Sequence, residues 1–269
     1  MKFLILGDLV GSSGRKALNK YLKEIIDVHR INFTVLNGEN AADDGHGIPK
    51  DIANEFFTLG VDVITSGNHI WDKAETTTYI DKENRLLRPA NLAKGSPGKG
   101  FGVFLSKDKK YKIGVINLMG NVFMRKTEDV FKAAREIRKK FTLKKDVDFL
   151  IVDIHGETAS EKMAMGHFFD GKTTCVIGTH THVPTNDGRV LNKGTAYLTD
   201  AGMCGDYNSV IGMNAKNSIN RFYKRDSKKH FPAEGEASLC GAIIKANPKN
   251  GLASSIKQFI FGGQLQKEN

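Results

Sequence analysis

Short apolar runs, each closed by polar or turn-forming residues, recur along the chain. Lys2–Leu6, Phe33–Leu36, Val61–Thr65, Ile113–Asn117, Phe149–Ile154 and Thr174–Ile177 are rich in β-branched residues. Their short length and their turn-forming successors predict buried strands. Helical stripes lie between them. Leu18, Leu22, Ile25 and Ile26 fall at helical spacing after Gly14. Pro49–Leu59 has proline at its start and Gly60 just past its end, and Val130, Phe131, Ala134, Ile137 and Phe141 make a third stripe. Strands alternating with helices predict an α/β layered fold with mixed or largely parallel sheet. Ala196–Thr199, Ala242–Ala246 and Ser255–Ile260 read as later strands that would form a second sheet packed on the first. Gly95–Gly102 reads as a loop and Asn247–Gly251 as a hairpin turn. Neither is long enough to act as a domain linker, so one domain over residues 1–269 is expected.

The candidate chemistry lies immediately behind the predicted strands. The first runs into Gly7-Asp8, the second into Asn37-Gly38-Glu39-Asn40 and the third into Gly67-Asn68-His69. The strand around Ile151 ends in Asp153-Ile154-His155-Gly156, and the next meets Gly178-Thr179-His180-Thr181-His182. Open α/β sheets bind ligands beyond the carboxyl ends of their strands, so these residues would gather at one edge. Singly they are weak: Asp8 reads as a turn former or helix cap, Asn68 as a turn residue. Glu39 is harder to dismiss, because a carboxylate behind a buried strand needs a partner. His180 and His182, two apart, would project to one side of an extended chain. Together they form a carboxylate, imidazole and amide set without thiolate. Such a set suits manganese, iron or zinc and exceeds what one tetrahedral zinc can use.

Composition narrows the setting. The 269 residues are 40% hydrophobic and 26% charged, which excludes a disordered or fibrous chain. No apolar run approaches the roughly 20 residues of a membrane span. No signal peptide is recognised behind Lys2, because Gly7 and Asp8 interrupt the first apolar run. Cys175, Cys204 and Cys240 are widely spaced and odd in number, so no disulfide framework is expected and a cytoplasmic location fits. Forty Lys+Arg against 30 Asp+Glu give a net charge of +10. The lysines are scattered, which reads as a lysine-rich proteome; attraction of nucleotides or RNA is the functional alternative.

In these blocks, and in Arg88-Pro89-Ala90-Asn91 and Val210-Ile211-Gly212-Met213, the sequence resembles the calcineurin-like metallophosphoesterases, most closely the YmdB-like bacterial phosphodiesterases. Two departures from the wider superfamily look like that branch. Val10 stands where a histidine usually follows the aspartate, and Glu39 where an aspartate is usual. The resemblance implies a four-layer αββα sandwich of two mixed sheets flanked by helices. It also implies a hydrolase with two divalent or trivalent metal ions, iron or manganese before zinc or magnesium. By that analogy Glu39 bridges both ions, Asp8, His182 and Asn40 serve one, and Asn68, His155 and His180 serve the other. A hydroxide shared by the metals would attack the phosphorus, with His69 protonating the leaving oxygen and Asp72 orienting His69 or capping a helix. The implied substrates are small phosphodiesters, 2′,3′-cyclic nucleotides such as 2′,3′-cAMP or short RNA. A broader phosphatase or nuclease, and a non-catalytic RNA- or protein-binding regulator, are the alternatives. RNA contact through runs such as Arg138-Lys139-Lys140 stays open, and a homo-oligomer without membrane contact is expected.

The remaining residues read mostly as structural. His29 and His230 are expected at the surface, His167 packed on a helix, and Trp71 and Phe123 in core or rim packing rather than stacked on a base. His46, in a glycine-flanked loop behind Glu39, is placed near enough to visit the site.

Overall fold

The computed structural model describes residues 1–223 and 230–265. The chain opens with β1 (Lys2–Val10), α1 (Gly11–His29), β2 (Phe33–Asn40), α2 (Lys50–Leu59), β3 (Val63–Thr65) and the short α3 (Thr76–Tyr79). Next come β4 (Phe101–Leu105), β5 (Lys112–Met119), α4 (Val130–Arg138), β6 (Phe149–His155), α5 (Ala159–Phe169) and β7 (Cys175–Thr179). Then follow β8 (Arg189–Val190), β9 (Ala196–Leu198), β10 (Met203–Asp206), α6 (Ala215–Phe222), β11 (Ala237–Ala246) and β12 (Ala253–Phe261).

Two six-stranded mixed sheets result, ordered β12-β11-β10-β1-β2-β3 and β4-β5-β6-β7-β9-β8. Alternate residues of the central strands face different apolar layers. Phe3 and Ile5 of β1 meet Phe149 and Ile151 of β6 between the sheets. Leu4 and Leu6 instead pack under α1 and α2, with Leu18, Leu22 and Phe56. Leu150 and Val152 turn outward to Val130 and Ala134 of α4 and to Met165 and Phe169 of α5. Strands covered on both faces carry unbroken apolar runs, which is why they stand out in the sequence. The layers are helix, sheet, sheet, helix, as expected.

The composition of the second sheet differs from expectation. β11 and β12 do not build it; β11 pairs antiparallel with β1, and β12 with β11, in the first sheet. The second sheet is made by the middle of the chain, including β4, whose first residues lay in the stretch read as loop. The third stripe also outlasts its helix: α4 stops at Arg138, yet Phe141 still packs on the core, edge-on to Phe101 at 5.6 Å. The hairpin turn before β12 is present.

What matters for the site is strand direction. β1, β2 and β3 run parallel, and so do β5, β6 and β7. Each set therefore ends its strands along one edge, where Asp8, Glu39, His155 and the residues after Thr179 collect.

Candidate metal centre and active site

Asp8, Glu39 and His155 are fully buried, and one ligand atom from each lies within 4.8 Å of the others. His155 is the hub. Its Nε2 stands 2.6 Å from Glu39 Oε2, 3.3 Å from Asn68 Oδ1 and 3.0 Å from His180 Nδ1. Asp8 Oδ1 lies 3.6 Å from the other ring nitrogen and 4.0 Å from His182 Nε2. The tight turn after β3 allows this approach. A Cβ on Gly67 would sit 1.8 Å from Glu39 Oε2 and 2.2 Å from the His155 ring, so only glycine fits.

Each imidazole has one nitrogen fastened and the other turned inward. Thr179 Oγ1 holds His155 Nδ1 at 3.0 Å, the Ile211 carbonyl accepts from His182 Nδ1 at 2.8 Å, and Glu157 Oε2 lies 3.1 Å from His180 Nε2. Outer partners of this kind set the tautomer and ring orientation of metal-ligating histidines. Extended chain does not deliver His180 and His182. β7 ends at Thr179, and both residues have positive φ, 100° and 65°, as does Ile211 at 47°. The two rings consequently face different neighbours, His180 toward His155 and His182 toward Asp8. Backbone strain of this kind collects at functional sites.

The carboxylates are only partly satisfied. Asp8 Oδ2 accepts the His180 N–H and Glu39 Oε1 the His69 N–H, both at 2.9 Å. Asp8 Oδ1 and Glu39 Oε2 are buried without a hydrogen bond, the 2.6 Å contact to His155 lacking hydrogen-bond geometry. Burial pushes both carboxyls up to about 7, against the pull of neighbouring imidazoles. Burial also lowers His155 to about 4 and pushes His180 far down, leaving neutral rings with free lone pairs. Two orphaned carboxylate oxygens among neutral imidazoles form a cluster that a cation would complete. The donor set fits the metals the sequence implied, since oxygen and nitrogen ligands without sulfur suit manganese, iron or zinc.

The other residues fall around this cluster. Asn40 is buried beside Glu39, and its amide nitrogen donates to the Gly45 carbonyl at 2.8 Å, which leaves its oxygen for a ligand. His69 is held through Nδ1, 2.6 Å from Asp72 Oδ2, and its ring meets the edge of His46 at 4.7 Å. The ring-orienting role of Asp72 is therefore the one observed. His46 does reach the site. Trp71 packs on the core and His29 lies edge-on to Phe259, but His167 and Phe123 are exposed rather than packed.

Several supporting residues were given no role by the sequence reading, even where, like Asp153, they stood in its blocks. Asp153, buried under the cluster, accepts from Thr65, Asn37 and Thr179. Lys162 and Asp200 form a buried ion pair at 2.8 Å. Asp200 also accepts from the Thr181 amide and hydroxyl, between the two histidines, and from Gly202, whose carbonyl receives the Asp8 N–H. One buried pair thus braces three candidate ligands. A lysine inside a helix gives no local sign of such a role.

The fold and this donor cluster together define a metallophosphoesterase. The YmdB-like protein family model matches residues 4–259, and the chain belongs to that family. It is 39% identical to the 2′,3′-cyclic-nucleotide 2′-phosphodiesterase of Bacillus subtilis, over 97% of both chains. Among solved structures, a hypothetical protein from Thermus thermophilus superposes with a TM-score of 0.89 at 33% identity, covering 98% of this chain and 100% of that one. A phosphatase from Mycoplasma pneumoniae superposes with a TM-score of 0.88 at 34% identity, covering 97% and 93%. Among the described residues, no helix is long and apolar enough to cross a membrane.

Proposed function

We propose that the chain, as one metallophosphoesterase domain, is a dinuclear metal-dependent phosphodiesterase acting on 2′,3′-cyclic nucleotides. The observation that carries this reading is the orientation of His155 and His182, each fastened through its outer nitrogen and each turning the inner one toward an orphaned carboxylate oxygen, with His180 Nδ1 turned to the His155 ring. The close relationship to the Bacillus subtilis phosphodiesterase supports the substrate class. Glu39 would bridge two cations, with Asn68, His155 and His180 on one and Asp8, Asn40 and His182 on the other. Iron or manganese suits these ligands first, zinc or magnesium next. When bound, the cation pair lowers the pKa of a water and draws charge from the phosphoryl oxygens.

The chain's own residues do the rest. Glu39 also accepts the His69 N–H, so the bridging carboxylate fixes the backbone of the proton donor. Asp72 holds His69 through Nδ1, so the proton delivered to the leaving oxygen is the one on Nε2. As the phosphorus gains the hydroxide oxygen, the P–O bond to the 2′-oxygen breaks and that oxygen takes the proton. A binding module would have no use for such a donor, which weighs against the non-catalytic reading.

The test is His69→Ala, assayed beside the parent on 2′,3′-cAMP, bis(p-nitrophenyl) phosphate and a phosphomonoester. Metal content should stay unchanged while the rate on 2′,3′-cAMP falls by roughly 10²–10⁴-fold, the usual contribution of a positioned acid. The loss should be smaller for the p-nitrophenolate leaving group, which needs little protonation. A defect independent of leaving group, or one restored by added metal, would show His69 to be a ligand instead.

A further inference from the structure

The loop that follows β5 is built more firmly than a surface connection requires. Its first residue, Gly120, donates to the His155 carbonyl at 2.9 Å, so it leaves the sheet beside a candidate ligand. Glu161 of α5, nearly buried, accepts from the Asn121 amide at 2.9 and 3.1 Å and the Val122 amide at 3.4 Å. Buried Asn91, from the Arg88–Asn91 block, donates to the Met119 carbonyl, Thr127 Oγ1 and the Glu128 carbonyl. Both ends of the loop are therefore fixed.

Between these anchors stands Phe123, 87% exposed, with φ at 60°. A bulky side chain in the left-handed region is strained, and an exposed aromatic ring forgoes burial. Two residues on, Arg125 turns back to the site. It donates to the Asn68 carbonyl at 3.1 Å and lies 3.6 Å from the free oxygen of Asp72, whose other oxygen holds His69. The loop thus presents a cation against the catalytic edge and an aromatic ring beyond it.

We infer that this loop is the nucleoside side of the site: Phe123 stacks on the base of a bound nucleotide while Arg125 faces its phosphate. A nucleotide carries an anion and a flat π-face on one small molecule, the two features the loop displays. Stacking needs no base-specific hydrogen bonds, consistent with an exposed ring carried between two anchored loop ends. The inference rests on the cyclic-nucleotide reading above.

The experiment compares the parent with Phe123→Ala and Phe123→Trp on two substrates, 2′,3′-cAMP and a methyl riboside 2,3-cyclic phosphate, which has the same ester but no base. Because Phe123 is exposed, both variants should fold. Phe123→Ala should raise KM for 2′,3′-cAMP by roughly 5- to 150-fold, the range of one lost stack, with kcat nearly unchanged. The base-free ester should be cleaved as by the parent, inhibition by 3′-AMP should weaken by the same factor as KM, and Phe123→Trp should restore both. Equal losses on the two substrates, or no loss on 2′,3′-cAMP, overturn the inference. So does a fall in sedimentation mass with unchanged kinetics, which would assign the ring to an interface between copies. If the parent cleaves the base-free ester but not 2′,3′-cAMP, it is the substrate reading that has failed.

Discussion

Around His155, three atoms from Glu39, Asn68 and His180 crowd one ring nitrogen at 2.6 to 3.3 Å, whereas around Asp8 the side-chain nitrogens of His155 and His182 stand back at 3.6 and 4.0 Å. The crowded half joins strand ends to one strained residue, His180, which leaves β7 with φ of 100°. His155 ends a central strand, Glu39 lies within β2, and Thr179 at the end of β7 fastens the ring. The open half keeps Asp8 and Asn40 in β1 and β2, but His182 and the Ile211 carbonyl that holds it are both at positive φ. Val10 adds to the difference, since a buried valine stands where the superfamily usually supplies another imidazole. A cation in the crowded half would find its ligands assembled; one in the open half would have to draw them together. The half with fewer imidazoles and wider separations should therefore hold metal more weakly and exchange it faster.

The largest effect should come from erasing the distinction. Glu39→Gln keeps the size of the side chain but removes the charge shared by both halves. Both ions should weaken together, with activity falling by roughly 10²–10⁴-fold, the cost of breaking one buried charge pairing. Two ions per chain at full activity would show that Glu39 does not bridge.

Single-ligand variants sharpen the comparison. His182→Ala touches only the open half, so elemental analysis should find one ion retained, and excess metal should recover most of the rate. His155→Ala removes the hub that meets Glu39, Asn68, His180 and Asp8, so both ions should drop and excess metal should restore the rate only in part. The same metal content in the two variants would mean that the halves do not differ.

The smallest effect concerns pH. Asp8 and Glu39, raised by burial to about 7 from ordinary values near 4, keep protons in the metal-free fold that the unfolded chain gives up. Their contribution is full below about pH 4 and is lost as pH rises through about 7. His155 runs the other way: lowered to about 4, it contributes above its ordinary 6.5 and loses that as pH falls toward 4. With Asp8, Glu39 and Asp153 all raised by burial against His155 and His180 lowered by it, chelated protein should melt lower at pH 8 than at pH 6, by about 2–4 °C for each kcal/mol lost. Added manganese should raise the melting temperature more at pH 8 than at pH 6, because only ionised carboxylates gain from the cation. A metal-induced shift independent of pH would contradict the burial of uncompensated carboxylates.

Much of this site is legible in the chain itself. Strands covered on both faces must be apolar throughout, so β1, β2, β5, β6 and β7 announce themselves as runs. The polar residues behind those runs must then share an edge, and Asp8, Glu39, Asn68, His69, His155, His180 and His182 were recognisable from position alone. Even the length of α2 follows from local signals, with Pro49 before it and Gly60 closing it with φ of 110°, whereas α1 starts at Gly11, ahead of the stripe that reveals it.

Tertiary structure decided what depends on distant partners. Which nitrogen of each histidine faces inward is set by Thr179, Glu157 and Ile211, and the strained turn after β7 is braced by the Lys162–Asp200 pair. Asn37 reaches Asp153 across 116 residues, and the His180 amide reaches Asp8 across 172. Sheet membership is of the same kind. β11 and β12 have ordinary strand sequences, and nothing local says that they join β1 rather than β7. Propensity and periodicity act over a few residues, whereas pairing, burial and the pKa of a buried group depend on whatever the fold brings alongside. Local chemistry thus named the candidate ligands, and only packing could aim them.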